Sequence, residues 1–139
     1  DYLLIDLPPG TGDVQLSVAQ KIPLLGAIAI STPQDVALSD VKKAIDMWAR
    51  VQVPILGVVE NMSYLMVKDS NGTETRHQLF PKGSLDQFLT EKGIPKIAEL
   101  PFYQNVAKAA EMGIPVVASS DSTPEAKSFL ELAKKVLEL

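Results

Sequence analysis

The sequence contains no cysteine among its 139 residues. Disulfide bonds and thiolate metal sites are therefore excluded within this chain. No apolar run approaches the roughly 20 residues that a membrane-spanning helix needs, so no membrane span is expected. Basic residues are not clustered and the net charge is −4, which argues against nucleic acid as a partner. The composition, 46% apolar and 22% charged, is that of an ordinary globular protein, and the length predicts a single domain.

Short apolar segments alternate with amphipathic ones along the whole chain. Strands are predicted at residues 2–5, 24–30, 55–59 and 97–100. Helices are predicted at residues 13–20, 84–92 and 104–112, and two more are predicted to start within residues 32–35 and 122–125. This alternation predicts a partial doubly wound α/β fold, with a mainly parallel sheet covered by helices on both faces in three layers. A complete fold of this kind is usually larger, so residues 1–139 are interpreted as the C-terminal part of one domain. We expect its missing part to precede Asp1.

Capping signals predict where several helices begin and end. Asp13 is expected to cap the first helix and Thr32 the second. The tetrapeptides at 92–95 and 112–115 each place a glycine for the left-handed cap before a proline, which predicts two helix ends. Val116 and the valine after it are expected to form a short extended segment.

Residues 61–82 break the alternation. A strong turn signal, Asp69-Ser70-Asn71-Gly72, lies in the middle of this polar stretch. It predicts a surface insertion, formed as a hairpin, between a strand and the next helix.

The string Asp6-Leu7-Pro8-Pro9-Gly10-Thr11-Gly12-Asp13 is the first candidate for chemistry. Asp6 at the end of a strand is either a hydrogen-bonded structural group or a ligand for a cation or its waters. The two prolines stiffen the turn, while Gly10 and Gly12 permit backbone geometries that expose amides to an anion. An acid for Mg²⁺ beside amides for a phosphate indicates one half of a nucleotide-hydrolysing site.

Several blocks of the chain resemble a known family. Residues 1–17, which contain this string, are similar to the Walker B and switch II segment of Mrp/Nbp-type ATPases, which are MinD/ParA-like P-loop NTPases with a deviant Walker A motif. The resemblance continues through Ser31-Thr32-Pro33-Gln34-Asp35-Val36-Ala37-Leu38 and Val53-Pro54-Ile55-Leu56-Gly57-Val58-Val59-Glu60-Asn61-Met62-Ser63. It resumes at residues 98–101 and 111–117, and so covers nearly the whole chain.

The resemblance implies roles for five residues. Asp6 resembles the acid that holds Mg²⁺ through water, and Gly10 the switch II glycine whose amide senses the γ-phosphate. Asn61 matches the asparagine that recognises adenine, although a plain turn asparagine is the alternative. Pro101 lies where backbone surrounds the adenine, or it simply ends a strand. Gln34 is expected to face the phosphates of the nucleotide. The alternative is that residues 32–35 serve only to start a helix.

Two features of the family are missing from these 139 residues. There is no Gly-Lys-Gly-Gly-Val-Gly-Lys-Ser/Thr P-loop, so this segment alone is expected to bind ATP poorly and not to hydrolyse it. There is also no Cys-x-x-Cys pair after Asn-Met-Ser, where many relatives bind an iron–sulfur cluster. His77 is the lone alternative ligand, and a solvated loop histidine is its simpler interpretation. No cluster ligand is therefore expected here, although the full-length protein could carry a cluster.

The resemblance implies an ATPase that carries or assembles iron–sulfur clusters, uses ATP and Mg²⁺, forms a homodimer when full length, and serves iron–sulfur client proteins. It implies an intracellular protein, in the cytoplasm or an organelle matrix. One alternative is a MinD/ParA-type positioning or partitioning ATPase, which should carry a basic amphipathic tail. The last residues, Lys134-Lys135-Val136-Leu137-Glu138-Leu139, are mixed in charge. The other alternative is a non-catalytic interaction domain.

Overall fold

The computed structural model describes residues 2–139, so Asp1 lies outside the described part. The helices are α1 (Asp13–Lys21), α2 (Asp35–Arg50), α3 (Leu85–Lys92), α4 (Gln104–Glu111), α5 (Val116–Ser119) and α6 (Pro124–Leu137). The strands are β1 (Ala27–Ser31), β2 (Ile55–Glu60), β3 (Leu65–Lys68), β4 (Glu74–His77) and β5 (Lys96–Glu99). Among residues 2–139, no helix is both long and apolar enough to cross a membrane.

Three strands form the central sheet, in the order β1-β2-β5. Both pairings are parallel, as the alternation of strands and helices predicts, because a helical crossover returns the chain to the same end of the sheet. Successive strand residues point to opposite faces. Val58 therefore packs towards α2 and α3, whereas its neighbour Val59 packs towards α6. This places the sheet between two helical layers, and the predicted three-layer α/β/α fold is confirmed.

A separate apolar cluster holds α1 against the end of α2. Met47, Trp48 and Val53 are its buried members. Leu16 of α1 and Leu7 of the preceding loop pack against them. The candidate loop at residues 6–13 is thus anchored to the fold at Leu7.

The predicted strand at residues 2–5 is wrong for this structure. These residues form no strand, and the side chains of Leu3 and Leu4 are 83% and 79% exposed. A strand needs a hydrogen-bonding neighbour, and β1 at the sheet edge pairs with β2 alone among residues 2–139. The apolar run therefore remains extended chain outside the sheet.

Helix ends follow the predictions better than helix starts do. Gly93 and Gly113 adopt the expected left-handed conformation, with φ values of 65° and 68°. Thr123 caps α6, because its hydroxyl accepts a hydrogen bond from the Ala126 amide. By contrast, Asp13 lies inside the first turn of α1, which begins after Gly12.

Two further local predictions are wrong. The second helix begins at Asp35, with Gln34 and not Thr32 at the cap position, and the Pro33 carbonyl accepts a hydrogen bond from the Gly83 amide instead. Residues 116–117 open the short helix α5 and are not extended. In both cases contacts or turns beyond the local pattern decide the conformation.

The hairpin expected around Asp69 to Gly72 is present. Strands β3 and β4 pair antiparallel, from Leu65 opposite His77 to Lys68 opposite Glu74. The Asp69 carboxylate accepts hydrogen bonds from the Asn71 and Thr73 amides, which closes the turn. The hairpin thus extends from the end of β2 and returns towards α3.

Candidate functional site

The parallel strands bring three loops to one edge of the sheet. Ser31 lies opposite Glu60, and Glu60 lies opposite Glu99, at the carboxyl ends of β1, β2 and β5. Ligands of open α/β sheets bind at this edge, since the loops that follow the strands converge there. The loops after β2 and β5 carry two of the predicted residues, Asn61 and Pro101.

Backbone hydrogen bonds join these two loops into one structure, which we call the strap and define as residues 60–64 together with 100–102. The Leu100 amide donates to the Glu60 carbonyl at 2.8 Å, and the Ser63 amide to the Leu100 carbonyl at 2.9 Å. The Phe102 amide donates to the Tyr64 carbonyl at 2.7 Å. The two loops that carry Asn61 and the buried Pro101 are therefore joined directly, although these residues are 40 positions apart in sequence.

Asn61 is half-buried and tied to its surroundings through its backbone. Its amide donates to the Ser31 carbonyl at 2.7 Å. Its side-chain oxygen accepts from the amide of Met62, a non-glycine residue with a φ of 52°. The side-chain nitrogen makes no hydrogen bond within residues 2–139, so it can donate to a ring nitrogen, and the oxygen has a second lone pair for an exocyclic amine.

The loop at residues 6–13 is held from α1. The buried Gln15 side chain donates to the Pro8 carbonyl at 2.6 Å. Gly10 has a φ of +100° with open space where a Cβ would stand, which suits a turn that presents its amide outward. Asp6 is exposed, and residues 2–139 contain no group of three acidic or histidine side chains able to hold a metal. A single carboxylate fits a hydrated Mg²⁺ that it contacts through water, not a cation enclosed by protein ligands.

Gln34 occupies the position just before α2 and is exposed, without a side-chain capping bond. The carboxylate of the next residue, Asp35, accepts hydrogen bonds from the amide and the hydroxyl of Ser84. No hydrogen bond within residues 2–139 joins Gln34 or the loop carrying Asp6 to the strap. The structure thus unites Asn61 with Pro101 and leaves the phosphate-side candidates on separate loops.

Sequence reasoning missed a partly buried charge cluster at the strap, around the buried carboxylate of Glu60. The Lys96 ammonium, on a side chain that is 16% exposed, lies 2.7 Å from Glu60 Oε2 and 2.9 Å from Glu99 Oε1, and it also contacts Asp86. The Ser63 hydroxyl donates to the other Glu60 oxygen at 2.5 Å. Lys96 and Glu60 are 36 positions apart, and no local pattern in the sequence indicates that they pair.

These contacts shift the titration of the cluster. Burial alone would lower the pKa of Lys96, but hydrogen bonds to Asp86, Glu60 and Glu99 outweigh burial and raise the pKa above its ordinary value. Hydrogen bonds from Lys82 and Lys96 lower the pKa of the Asp86 carboxyl. The Arg76 guanidinium, followed by Lys96, lowers the pKa of Glu99. Lys96, Asp86 and Glu99 are therefore all charged at neutral pH.

Acid is expected to weaken the fold through this cluster. Because the pKa values of Asp86 and Glu99 are lowered from 3.8 and 4.5, their contribution is complete above those values and is lost as the pH falls below them. The free energy of unfolding, measured in urea between pH 7 and pH 2.5, should fall most steeply below about pH 4.5. A Glu99→Gln variant should show a shallower fall than Glu111→Gln, which changes an exposed carboxylate. Equal slopes for the two variants would contradict this assignment.

Comparison with known proteins identifies relatives over nearly the whole chain. Residues 1–137 match the family described as "ParA: NUBPL iron-transfer P-loop NTPase". An iron–sulfur cluster carrier protein of Aquifex aeolicus is 42% identical over 134 residues, which cover 96% of this chain and 36% of that protein. The mouse iron–sulfur cluster transfer protein NUBPL is 39% identical over 99% of this chain and 42% of its own length. The chain therefore spans less than half the length of these relatives.

Solved structures agree with the observed architecture. A nucleotide-binding protein of Archaeoglobus fulgidus in complex with ADP has a TM-score of 0.67 and 36% identity, covering 93% of this chain and 50% of that one. A MinD cell division protein of Aquifex aeolicus has a TM-score of 0.64 at 15% identity, covering 91% of this chain and 48% of its own. At that identity the second likeness concerns the fold alone.

Proposed function

The chain belongs to the ParA family of NUBPL-type iron-transfer P-loop NTPases, and from this premise we propose that it supplies the adenine side and the switch loop of an ATP-dependent iron–sulfur cluster carrier. Its relatives are named as carriers and transfer proteins, which favours this reading over a MinD-type positioning ATPase. Likeness to the MinD structures, at 15–21% identity, concerns the fold alone. The whole protein's reaction would need a P-loop, which these 139 residues do not contain.

One observation carries the proposal: the strap that holds Asn61 beside Pro101 at the carboxyl edge of the sheet. Asn61 presents a side-chain amide that can donate to and accept from the edge of a purine. Buried Pro101 offers a stiff backbone next to it. The solved relative from Archaeoglobus fulgidus, whose ADP complex shares this fold at 36% identity, supports a nucleotide as the ligand.

The remaining groups fit the proposal to different degrees. Asp6 would hold Mg²⁺ through water, and the Gly10 amide would meet the γ-phosphate, so ATP hydrolysis could reposition their loop. Gln34 would face the phosphates from the start of α2. An iron–sulfur cluster would be cargo held by thiolates outside this cysteine-free chain. A homodimer of the full-length protein, acting on iron–sulfur clients in the cytoplasm or an organelle matrix, completes the proposal.

Removal of the Asn61 side-chain amide tests the adenine site. Asn61→Ala is expected to weaken ADP binding about fivefold, which corresponds to the loss of roughly 1 kcal/mol of hydrogen bonding. Binding of inorganic pyrophosphate, which has no base, should stay unchanged. Both affinities can be measured by NMR titration of the 139-residue chain, because the method detects weak binding.

Asn71→Ala is the matched control, since Asn71 lies in the exposed hairpin turn and the same amide is removed there. It should bind ADP as the unaltered chain does. If Asn61→Ala also binds ADP with unchanged affinity, Asn61 is a turn asparagine and the adenine assignment is wrong.

A further inference from the structure

Arg76 connects the hairpin β3–β4 to the rest of the protein. Apart from Leu65, the residues of both strands are exposed, and none of them belongs to the apolar clusters described for residues 2–139. Arg76 of β4 differs from these exposed residues, because its guanidinium contacts the strap at Tyr64.

Arg76 contacts residues at both segments of the strap region, residues 60–64 and residues 100–102. Its guanidinium lies 3.8 Å from the centroid of the ring of Tyr64, the last residue of the first segment. Its Nη2 lies 2.7 Å from Oε2 of Glu99, the residue immediately before the second segment, which begins at Leu100. A planar guanidinium can stack on a ring and pair with a carboxylate at the same time. Arg76 therefore links the first segment of the strap to Glu99, the residue just before the second segment, and Lys96 likewise contacts both Glu60 and Glu99.

The strap needs such support because part of its backbone is unfavourable. Met62 has a φ of 52°, a left-handed conformation that costs a non-glycine residue free energy and persists only where the surroundings enforce it. Asn61 and Met62 lie between the end of β2 and the contacts of Tyr64. A loosened Tyr64 would therefore leave the Asn61 side chain with more conformations.

We propose that Arg76 is a positioning residue, which clamps the strap so that Asn61 and Pro101 are held ready for an adenine ring. The proposal rests on the adenine site proposed above. It assigns the hairpin a role at the nucleotide. Any partner that engages the hairpin would then alter nucleotide affinity through Arg76.

Arg76→Gln tests the clamp without threatening the fold. The Arg76 side chain is 53% exposed, and exposed ion pairs contribute little to stability. We expect the unfolding midpoint in urea to fall only slightly, but amide hydrogen exchange at residues 60–64, Leu100 and Phe102 to become at least fivefold faster. ADP binding should weaken about threefold and pyrophosphate binding should stay unchanged. Arg76→Lys, which keeps the charge but not the planar group, should restore these properties only in part.

Lys68→Gln is the matched control, because Lys68 pairs with Glu74 within the same hairpin and carries the same charge. It should change neither exchange nor affinity. Unchanged strap exchange in Arg76→Gln would overturn the clamp, and faster exchange with unaltered ADP affinity would overturn the positioning role. Failure of the unaltered chain to bind ADP would instead refute the adenine site, while the exchange result would still decide whether Arg76 clamps the strap.

Discussion

Replacement of Lys96 by methionine is expected to lower the free energy of unfolding by about 3–5 kcal/mol, the cost of breaking a buried ion pair. Glu60 is only 5% exposed, and methionine would leave its carboxylate without a cation in a site that water hardly reaches. A buried charge without a partner is costly, and it would favour a local opening of the sheet edge. Urea unfolding, followed by fluorescence of the single, buried Trp48, measures the loss.

Two variants separate the buried charge from the general effect of losing a lysine. Lys43→Met removes an ammonium that is 68% exposed and pairs with Asp40, and it should cost less than about 1 kcal/mol. Adding Glu60→Gln to Lys96→Met should recover part of the lost stability, because the unpaired charge is removed as well. A Lys96→Met variant as stable as Lys43→Met would show that Lys96 does not balance a buried charge.

The 139-residue chain is expected to release no phosphate from ATP above the uncatalysed background. Phosphoryl transfer depends on backbone amides and a lysine that cradle the β- and γ-phosphates, together with Mg²⁺. This chain has no P-loop to provide them, and its exposed Asp6 lies on a loop that no hydrogen bond within residues 2–139 joins to the strap. Release of phosphate from radiolabelled ATP with Mg²⁺ in excess measures any turnover.

Asp6→Asn provides the internal control for that assay. Any trace activity of a contaminating ATPase should be the same in preparations of both chains. Turnover in the unaltered chain that disappears in Asp6→Asn would mean that these residues contain a working catalytic site. The expectation of an inactive segment would then be wrong.

Local signals in the sequence were sufficient for several features that depend on neighbours in the chain. The left-handed Gly93 and Gly113 end helices because no side chain opposes a positive φ, and Thr123 caps α6 with its own hydroxyl. The hairpin closes at Asp69 for the same local reason. The predicted parallel sheet also follows, since buried strands separated by helices pair in this way.

Several predictions that failed, or were not made, depend on distant partners, although the cap at Asp13 and the extended segment at residues 116–117 were also wrong. The apolar run at residues 2–5 matches a strand pattern, yet a strand forms only beside another, and no neighbour is in place there among residues 2–139. The start of α2 is shifted to Asp35, where the loop at Gly83 and Ser84 packs against it. The pairing of Lys96 with Glu60 had no sequence signal at all.

By itself, the sequence determined the alternating fold, the helix ends and the glycine-rich turn after Asp6, because each depends on local backbone preference. The candidates Asn61 and Pro101 came from its resemblance to a family. The tertiary structure alone decided that the loops carrying Asn61 and Pro101 are joined and that Lys96 and Arg76 contact residues next to them. Those contacts join residues far apart in the chain. Their geometry exists only after β2 and β5 have paired and the hairpin has folded back against them.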